Sequence, residues 1–204
     1  MIHTLTLTPP PPHRDTVLRY AGISPAAAYG DPSLPSLLED CLSLAAEPSA
    51  FSVCYGVFPL RISGEDLDLG FATLSSADLL ALWKDCRHVL AFAATVGLSF
   101  DRAVARAEAH SPTRALLLDA LGSERVEALC DTFCQRMATQ YASEGALLTP
   151  RFSPGYGDLP LSFQIPLFQA LDCSRRIGLT LNQSLSMSPS KSVTAMVGIR
   201  YQSQ

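Results

Sequence analysis

His88-Val-Leu-Ala-Phe-Ala-Ala-Thr95 is nearly all apolar and is followed by Gly97. A bounded apolar run of this length is the pattern of a central strand, and it fixes the frame for the segments on either side. Just upstream, Ser75-Ser-Ala-Asp78 offers a helix cap with an acidic residue three positions on, opening a helix that turns Leu79, Leu82 and Trp83 inward until Cys86. Before it, Phe51 to Ile62 is rich in β-branched and aromatic residues, lies between Pro48 and Ser63-Gly64, and reads as a strand. Pro59 cannot donate to a ladder, which places this strand near a sheet edge. Leu67 to Phe71 adds a second short strand.

Further back, Ser36 to Ala46 reads as a helix, Ile23 to Pro35 as a linker, and His13 to Gly22 as a short helix closed by a glycine at the left-handed C′ position. Residues 1–12 form an extended segment ending in Pro9 to Pro12, with Ile2, Leu5 and Leu7 able to pair at a sheet edge.

Downstream, Phe100 to Ala109 predicts a helix with its arginines outward. Ser111-Pro112 then caps a long helical stretch from Thr113 to about Tyr141. Leu117, Leu121, Val126, Leu129, Cys130, Phe133 and Met137 keep helical spacing, while Gly122 leaves open whether this is one helix or two. Leu161 to Leu171 reads as a short helix capped by Ser162, with Pro166 in or near its first turn. Ile177 to Leu181 and Val193 to Ile199 read as strands joined by the polar segment Asn182 to Ser192. No βαβ unit repeats. The expected class is therefore α+β, a mainly antiparallel twisted sheet with flanking helices, built as one domain over residues 13–204 behind the extended segment.

The chain has 204 residues, an apolar fraction of 48% and a formal net charge of −4, so it can bury a large core and offers no basic block for a phosphate backbone. Nucleic acid is not an expected partner. No apolar run is long enough to span a bilayer, and the N-terminus has neither a basic n-region nor a small-residue cleavage site; the expected location is cytoplasmic. Cys41, Cys54, Cys86, Cys130, Cys134 and Cys173 are scattered along the chain and read as free buried thiols. Cys130 and Cys134 share a helical face, but no CxxC and no neighbouring histidine supports a metal site.

Arg151-Phe-Ser-Pro-Gly-Tyr-Gly157, followed by Asp158-Leu-Pro160, packs two glycines and a proline into four residues between an arginine and a tyrosine. Such a backbone is either a surface turn or a ligand loop whose own N–H and C=O groups do the binding. No P-loop, GxGxxG, HExxH or GxSxG motif occurs elsewhere. What does occur is an ordered series: Arg19-Tyr-Ala-Gly22, then Thr113-Arg-Ala-Leu-Leu-Leu-Asp-Ala-Leu-Gly-Ser123 with Val126-Glu-Ala128. The RxxPGY loop follows, then Ile177-Gly-Leu-Thr-Leu-Asn-Gln-Ser184 and Met187-Ser-Pro-Ser-Lys-Ser-Val193.

This series resembles the activation domain of cobalamin-dependent methionine synthase, especially its stand-alone versions, from about residue 13 to 200. The resemblance implies a shallow groove that binds S-adenosylmethionine, whose methyl group passes to a reduced cobalamin. It also implies that the cobalamin is carried by a separate methionine synthase or related corrinoid protein, with a flavodoxin-like protein as candidate reductant. Carried over residue by residue, it implies that Arg151 holds the ligand carboxylate, while the backbone of Ser153 and of the turn Pro154-Gly155 follows the ligand. Tyr156 would stand on the methyl and cobalamin side, with Gly157 completing the loop, and Glu127 would be the gating acid near the sulfonium. Read without the resemblance, Tyr156 is a packed turn aromatic, Glu127 a residue of a solvated helix face, and Lys191 and Ser192 orient the last strand.

Two departures stand out. Gln183 replaces an acidic residue of the family, and the tyrosine-bearing C-terminal segment of the full-length enzymes has no counterpart before Gln204. They support an alternative in which the chain is a non-catalytic docking module for a corrinoid protein. No acid/base dyad is expected, because the methyl donor and its acceptor carry their own reactivity.

Overall fold

The computed structural model describes residues 1–30, 32–44 and 51–201. In chain order the elements are β1 (Ile2–Thr6), α1 (Arg14–Tyr20), α2 (Pro25–Gly30), α3 (Leu34–Leu44), β2 (Ser52–Pro59), β3 (Arg61–Ser63), β4 (Asp66–Asp68) and β5 (Thr73–Ser75). Then come α4 (Ala77–Trp83), β6 (His88–Thr95), α5 (Leu98–Glu108), α6 (Pro112–Ser143) and β7 (Ala146–Leu148). A 3-10 turn (Leu161–Phe163) leads into α7 (Gln164–Leu171), α8 (Cys173–Ile177), β8 (Thr180–Leu181), β9 (Met187–Ser188) and β10 (Ser192–Tyr201).

The apolar run around Phe92 is indeed the middle strand. β6 sits third in an antiparallel sheet of order β1-β2-β6-β10-β7. Its residues alternate between two cores, which explains why almost none is polar. Leu90, Phe92 and Ala94 face α1, α3, α5 and α6. Val89, Ala91 and Ala93 face α4, α7, α8 and the small sheet β3-β4-β5. The fold is thus α+β with an antiparallel sheet covered by helices, as the order of segments implied.

Several expectations need correction. β2 is not an edge strand, because it lies between β1 and β6; β1 covers it only from Ser52 to Gly56, and Pro59 occupies the uncovered end. The stretch after Arg151 does not begin with a Ser162 cap. Pro160 precedes a 3-10 turn, and α7 starts only at Gln164, with Pro166 inside its first turn where no intrahelical N–H bond is lost.

Ile177 ends α8 instead of opening a strand. Arg175 and Arg176 in the last turn and Gly178 at φ 65° terminate that helix, leaving only Thr180–Leu181 to pair, with Met187–Ser188 in a separate ribbon. The linker read over residues 23–35 contains α2, and the end placed at Ala46 for the following helix falls outside the described residues. The strand read over Phe51 to Ile62 is broken into β2 and β3, which lie in different sheets, and of the strand read over Leu67 to Phe71 only Leu67 and Asp68 pair, in β4; among the described residues, β5, β7 and β9 are short strands that the pattern did not announce.

α6 is one helix through Gly122. A Cβ there would stand 2.8 Å from Lys191 Cγ, so the glycine lets the Lys191 side chain cross the helix and reach Asp119 Oδ1 at 2.7 Å and Ser123 Oγ at 3.0 Å. Lys191 therefore ties the start of β10 to α6, the structural reading of that residue.

The same helix holds the N-terminal segment. Arg125 lies beside Glu124 at 2.6 Å and donates from Nη1 to the Pro10 carbonyl at 2.6 Å, while the His13 N–H donates to Glu124 at 3.3 Å. β1 is thereby anchored at both ends, by β2 and by this buried pair. No helix among the described residues is long and apolar enough to cross a membrane.

Candidate functional site

The site is built where the edge of β10 loses its neighbour. β7 pairs with β10 only from Ile199 to Tyr201. The chain then follows the edge through Thr149, whose N–H donates to Gly198 O at 3.0 Å, and Phe152, which exchanges two backbone bonds with Met196 at 2.9 and 2.8 Å. Beyond Phe152 it turns away. The Tyr156 N–H donates to Ser153 O at 3.2 Å and the Gly155 N–H to Leu159 O at 2.9 Å, so Ser192 to Thr194 are left on an open edge. Strand alternation points the Thr194 N–H and C=O to the same side as those of Met196, toward that edge.

Two glycines make the turn possible: Gly155 has φ 91° and Gly157 φ 52°. A Cβ on Gly157 would also collide with Asp78 Oδ2. That close approach belongs to a staple. The Asp158 carboxylate accepts from the Ser76 hydroxyl, from the Ala77 N–H at 2.6 Å and from the Asp78 N–H at 3.4 Å, at the first turn of α4. The Ser76 hydroxyl bond, joined by these amides, holds the Asp158 carboxyl below the usual carboxylate range. The loop is therefore fixed at Phe152 on one side and at Asp158 on the other.

The resulting groove has a volume of about 570 Å³, within the usual size range of small-molecule sites. Of the residues assigned to the site from sequence, Arg151, Ser153, Pro154, Tyr156 and Glu127 line it; Gly155 and Gly157 do not, and serve the turn. Arg151 comes from the loop and Glu127 from α6, joined at 3.1 Å. The same Arg151 Nη2 also meets Asp131 at 2.9 Å, one turn along α6. Its Nη1 and Nε have no partner among the described residues. Tyr156 is 70% exposed at the mouth, so it is not a packed turn aromatic.

Gln164, Met187, Ser192, Val193 and Thr194 complete the wall. Met187, Ser192 and Val193 fall in the MxPxKSV segment. Ser192 keeps its structural part as well, donating to Pro189 O at 2.8 Å and pairing with the Thr95 hydroxyl at 2.8 Å. Gln164 was not foreseen; nothing in its local sequence sets it apart. Gln183 is exposed near the tip of the β8–β9 ribbon and is not part of the wall. A larger cleft of about 600 Å³ between α1 and α3 contains none of the assigned residues.

Under this groove α6 carries its two thiols. All six cysteines are free. Burial pushes Cys130 up to about 12 and Cys134 up to about 11, from an ordinary 9.0. Raised thiol values mean that the unfolded chain releases these protons first as pH rises, so their contribution is complete below pH 9.0 and drains away toward about 12. Urea midpoints measured in steps from neutral pH upward are expected to hold steady and then fall across that window, with a shallower fall in Cys130→Val.

The comparisons bear on the same residues. The family model for the activation domain of vitamin B12-dependent methionine synthase matches residues 60–204, which include every residue lining the groove. Among solved structures, the crystal structure of the MetH reactivation domain bound to AdoHcy matches with a TM-score of 0.65 and 17% identity, over 100% of this chain and 80% of that one. That likeness establishes the fold. No curated protein matches the sequence. With the sheet, the loop and the helix in place and nearly three quarters of its length within the family model, the chain belongs to the activation-domain family of vitamin B12-dependent methionine synthase.

Proposed function

We propose that the groove binds S-adenosylmethionine and its demethylated product S-adenosylhomocysteine, and that the chain activates a cobalamin-dependent methionine synthase carried on a separate polypeptide. One observation carries the reading. A guanidinium with unused donors and the Glu127 carboxylate meet at a single groove beside an open strand edge, and Asp131, one helical turn away and outside the groove wall, holds the same guanidinium.

This set fits the ligand's charges. The free Nη1 and Nε of Arg151 lie on different sides of the guanidinium, and either can donate a charge-assisted bond to a ligand carboxylate. Glu127 and Asp131 supply negative charge for an α-ammonium or a sulfonium, and the β10 edge offers backbone groups to the polar middle of the molecule. When bound, the sulfonium supplies an electrophilic methyl and the partner's reduced cobalamin the nucleophile. The chain's own task is then positioning: the fixed loop holds the ligand, and exposed Tyr156 presents a flat surface at the mouth toward the partner. A flavodoxin-like protein would supply the reducing electron.

Calorimetric titration of the purified chain with S-adenosylhomocysteine tests the binding step. Saturable one-to-one heat and a rise in melting temperature are expected; absence of both at millimolar ligand overturns the proposal. The docking-module alternative drew in part on Gln183, and that side chain stands outside the groove. Capture of a corrinoid protein by a chain that gives no titration signal would restore it.

A further inference from the structure

Gln164 and Thr194 are the two wall residues that carry a buried polar atom without a partner among the described residues. Gln164 is 5% exposed and Thr194 2%, yet Gln164 Oε1 and Thr194 Oγ1 have no hydrogen-bond partner among the described residues. Leaving a buried acceptor without a donor costs free energy that folding does not return, so such a group in a ligand groove points to a partner that arrives with the ligand.

Their position separates them from the charges. Side chains alternate along β10, with Ala195, Val197 and Ile199 in the core beneath α6, and Met196 in the core beneath α7. Val193 packs on the α6 side; Thr194 shares the face of Met196, the side to which Phe152 and Met187 also pack and on which α7 begins with Gln164. The groove thus straddles the strand edge. Arg151 and Glu127 charge the α6 half, with Asp131 behind Arg151, while the α7 half is neutral, with a carboxamide and a hydroxyl among apolar side chains.

On the reading that the ligand is an adenosyl sulfonium or thioether, we infer that Gln164 and Thr194 select its base, Gln164 Oε1 accepting from the 6-amino group and the Thr194 hydroxyl donating to a ring nitrogen. The ligand has two kinds of N–H donor. The α-ammonium is cationic and belongs with Glu127 and Asp131. The neutral 6-amino group matches a neutral buried acceptor, and an analogue without it leaves Oε1 unpaired inside the complex.

The test is calorimetric titration of wild type, Gln164→Leu and Thr194→Val with S-adenosylhomocysteine and with its analogue lacking the 6-amino group. Wild type is expected to bind the analogue about tenfold more weakly. In Gln164→Leu, affinity for the parent ligand falls by about the same factor and the two ligands bind alike. Thr194→Val weakens both ligands and keeps the discrimination.

Without ligand, Gln164→Leu melts no lower than wild type, because it removes an unpaired buried amide. Equal discrimination in wild type and Gln164→Leu, or a lower melting temperature of unliganded Gln164→Leu, overturns the inference. Wild type that binds neither ligand overturns instead the functional reading on which it rests.

Discussion

Arg125→Ala is expected to lose about 3–5 kcal/mol of folding stability, the largest effect of any single substitution considered. Arg125 is 2% exposed and Glu124 7%, so the truncation leaves a carboxylate in the core with only the His13 N–H beside it, and removes the donor to the Pro10 carbonyl. Neighbours in sequence on one helix seldom pair in this way; here the pair exists to face a third element, the proline-rich segment between β1 and α1. For a chain of this size the loss corresponds to a fall in melting temperature on the order of 10 °C. Replacing both partners, as Glu124→Leu with Arg125→Met, is expected to recover most of it, since the cost lies in the stranded charge and not in the missing ion pair. Hydrogen exchange separates this mechanism from a general core defect: the amides of β1 are expected to open first in Arg125→Ala, before those of β6.

The frame of the fold was legible because its strongest signals are local. β6 is apolar on both faces for a reason that three-dimensional burial imposes and composition reveals; the Ser76 cap, the Ser111-Pro112 start and Gly22 report backbone geometry that no distant contact has to decide. The misreadings came from signals that act at longer range. Pro59 looked like an edge because its effect depends on where β1 stops, a matter of register with a segment some fifty residues away. Gly122 looked like a break because its reason is Lys191, which arrives from β10. The ribbon strands and β7, two or three residues each, are too short for alternation to appear at all.

The candidate site divides along the same line. Arg151, Ser153, Pro154, Tyr156 and Glu127 were reached through an ordered series of motifs, and the structure brings them to one groove. Gly155 and Gly157 belong to the same motif but act through φ, holding the loop in the shape that leaves the strand edge open. Gln164 and Thr194 carry no sequence signal, because an amide at a helix start and a threonine in a strand are both ordinary; only burial without a partner makes them unusual. Asp131 was missed for a simpler reason: its part is electrostatic and depends on Arg151 lying across α6.

Arg151→Ala is expected to weaken S-adenosylhomocysteine binding by about tenfold or more, the value of losing a charge-assisted hydrogen bond to the ligand carboxylate. The side chain is not free in the unliganded protein, and that sharpens the expectation. Its Nη2 already bridges Glu127 and Asp131, so the guanidinium is preorganised by two carboxylates and offers its remaining donors without an entropic search. Removing it also leaves the Glu127 carboxylate unpaired at the groove, where it repels the ligand's own carboxylate. Arg151→Lys keeps the charge but not the planar group that meets Glu127, Asp131 and the ligand together, and is expected to fall between wild type and Arg151→Ala in affinity.

Folding should change little, since the partners are about half exposed or more and surface ion pairs contribute at most about 1 kcal/mol. Melting temperatures and affinities measured on the same preparations would therefore separate binding from stability. If both variants bind like wild type, Arg151 is only a clamp on α6, and the carboxylate of any ligand must be held elsewhere on the β10 edge. Glu127→Gln provides the opposite sign: it relieves repulsion of the ligand carboxylate and removes attraction for the sulfonium. It is therefore expected to shift preference toward the neutral thioether, S-adenosylhomocysteine, over the cationic methyl donor, and that preference cannot arise from a residue acting through packing alone.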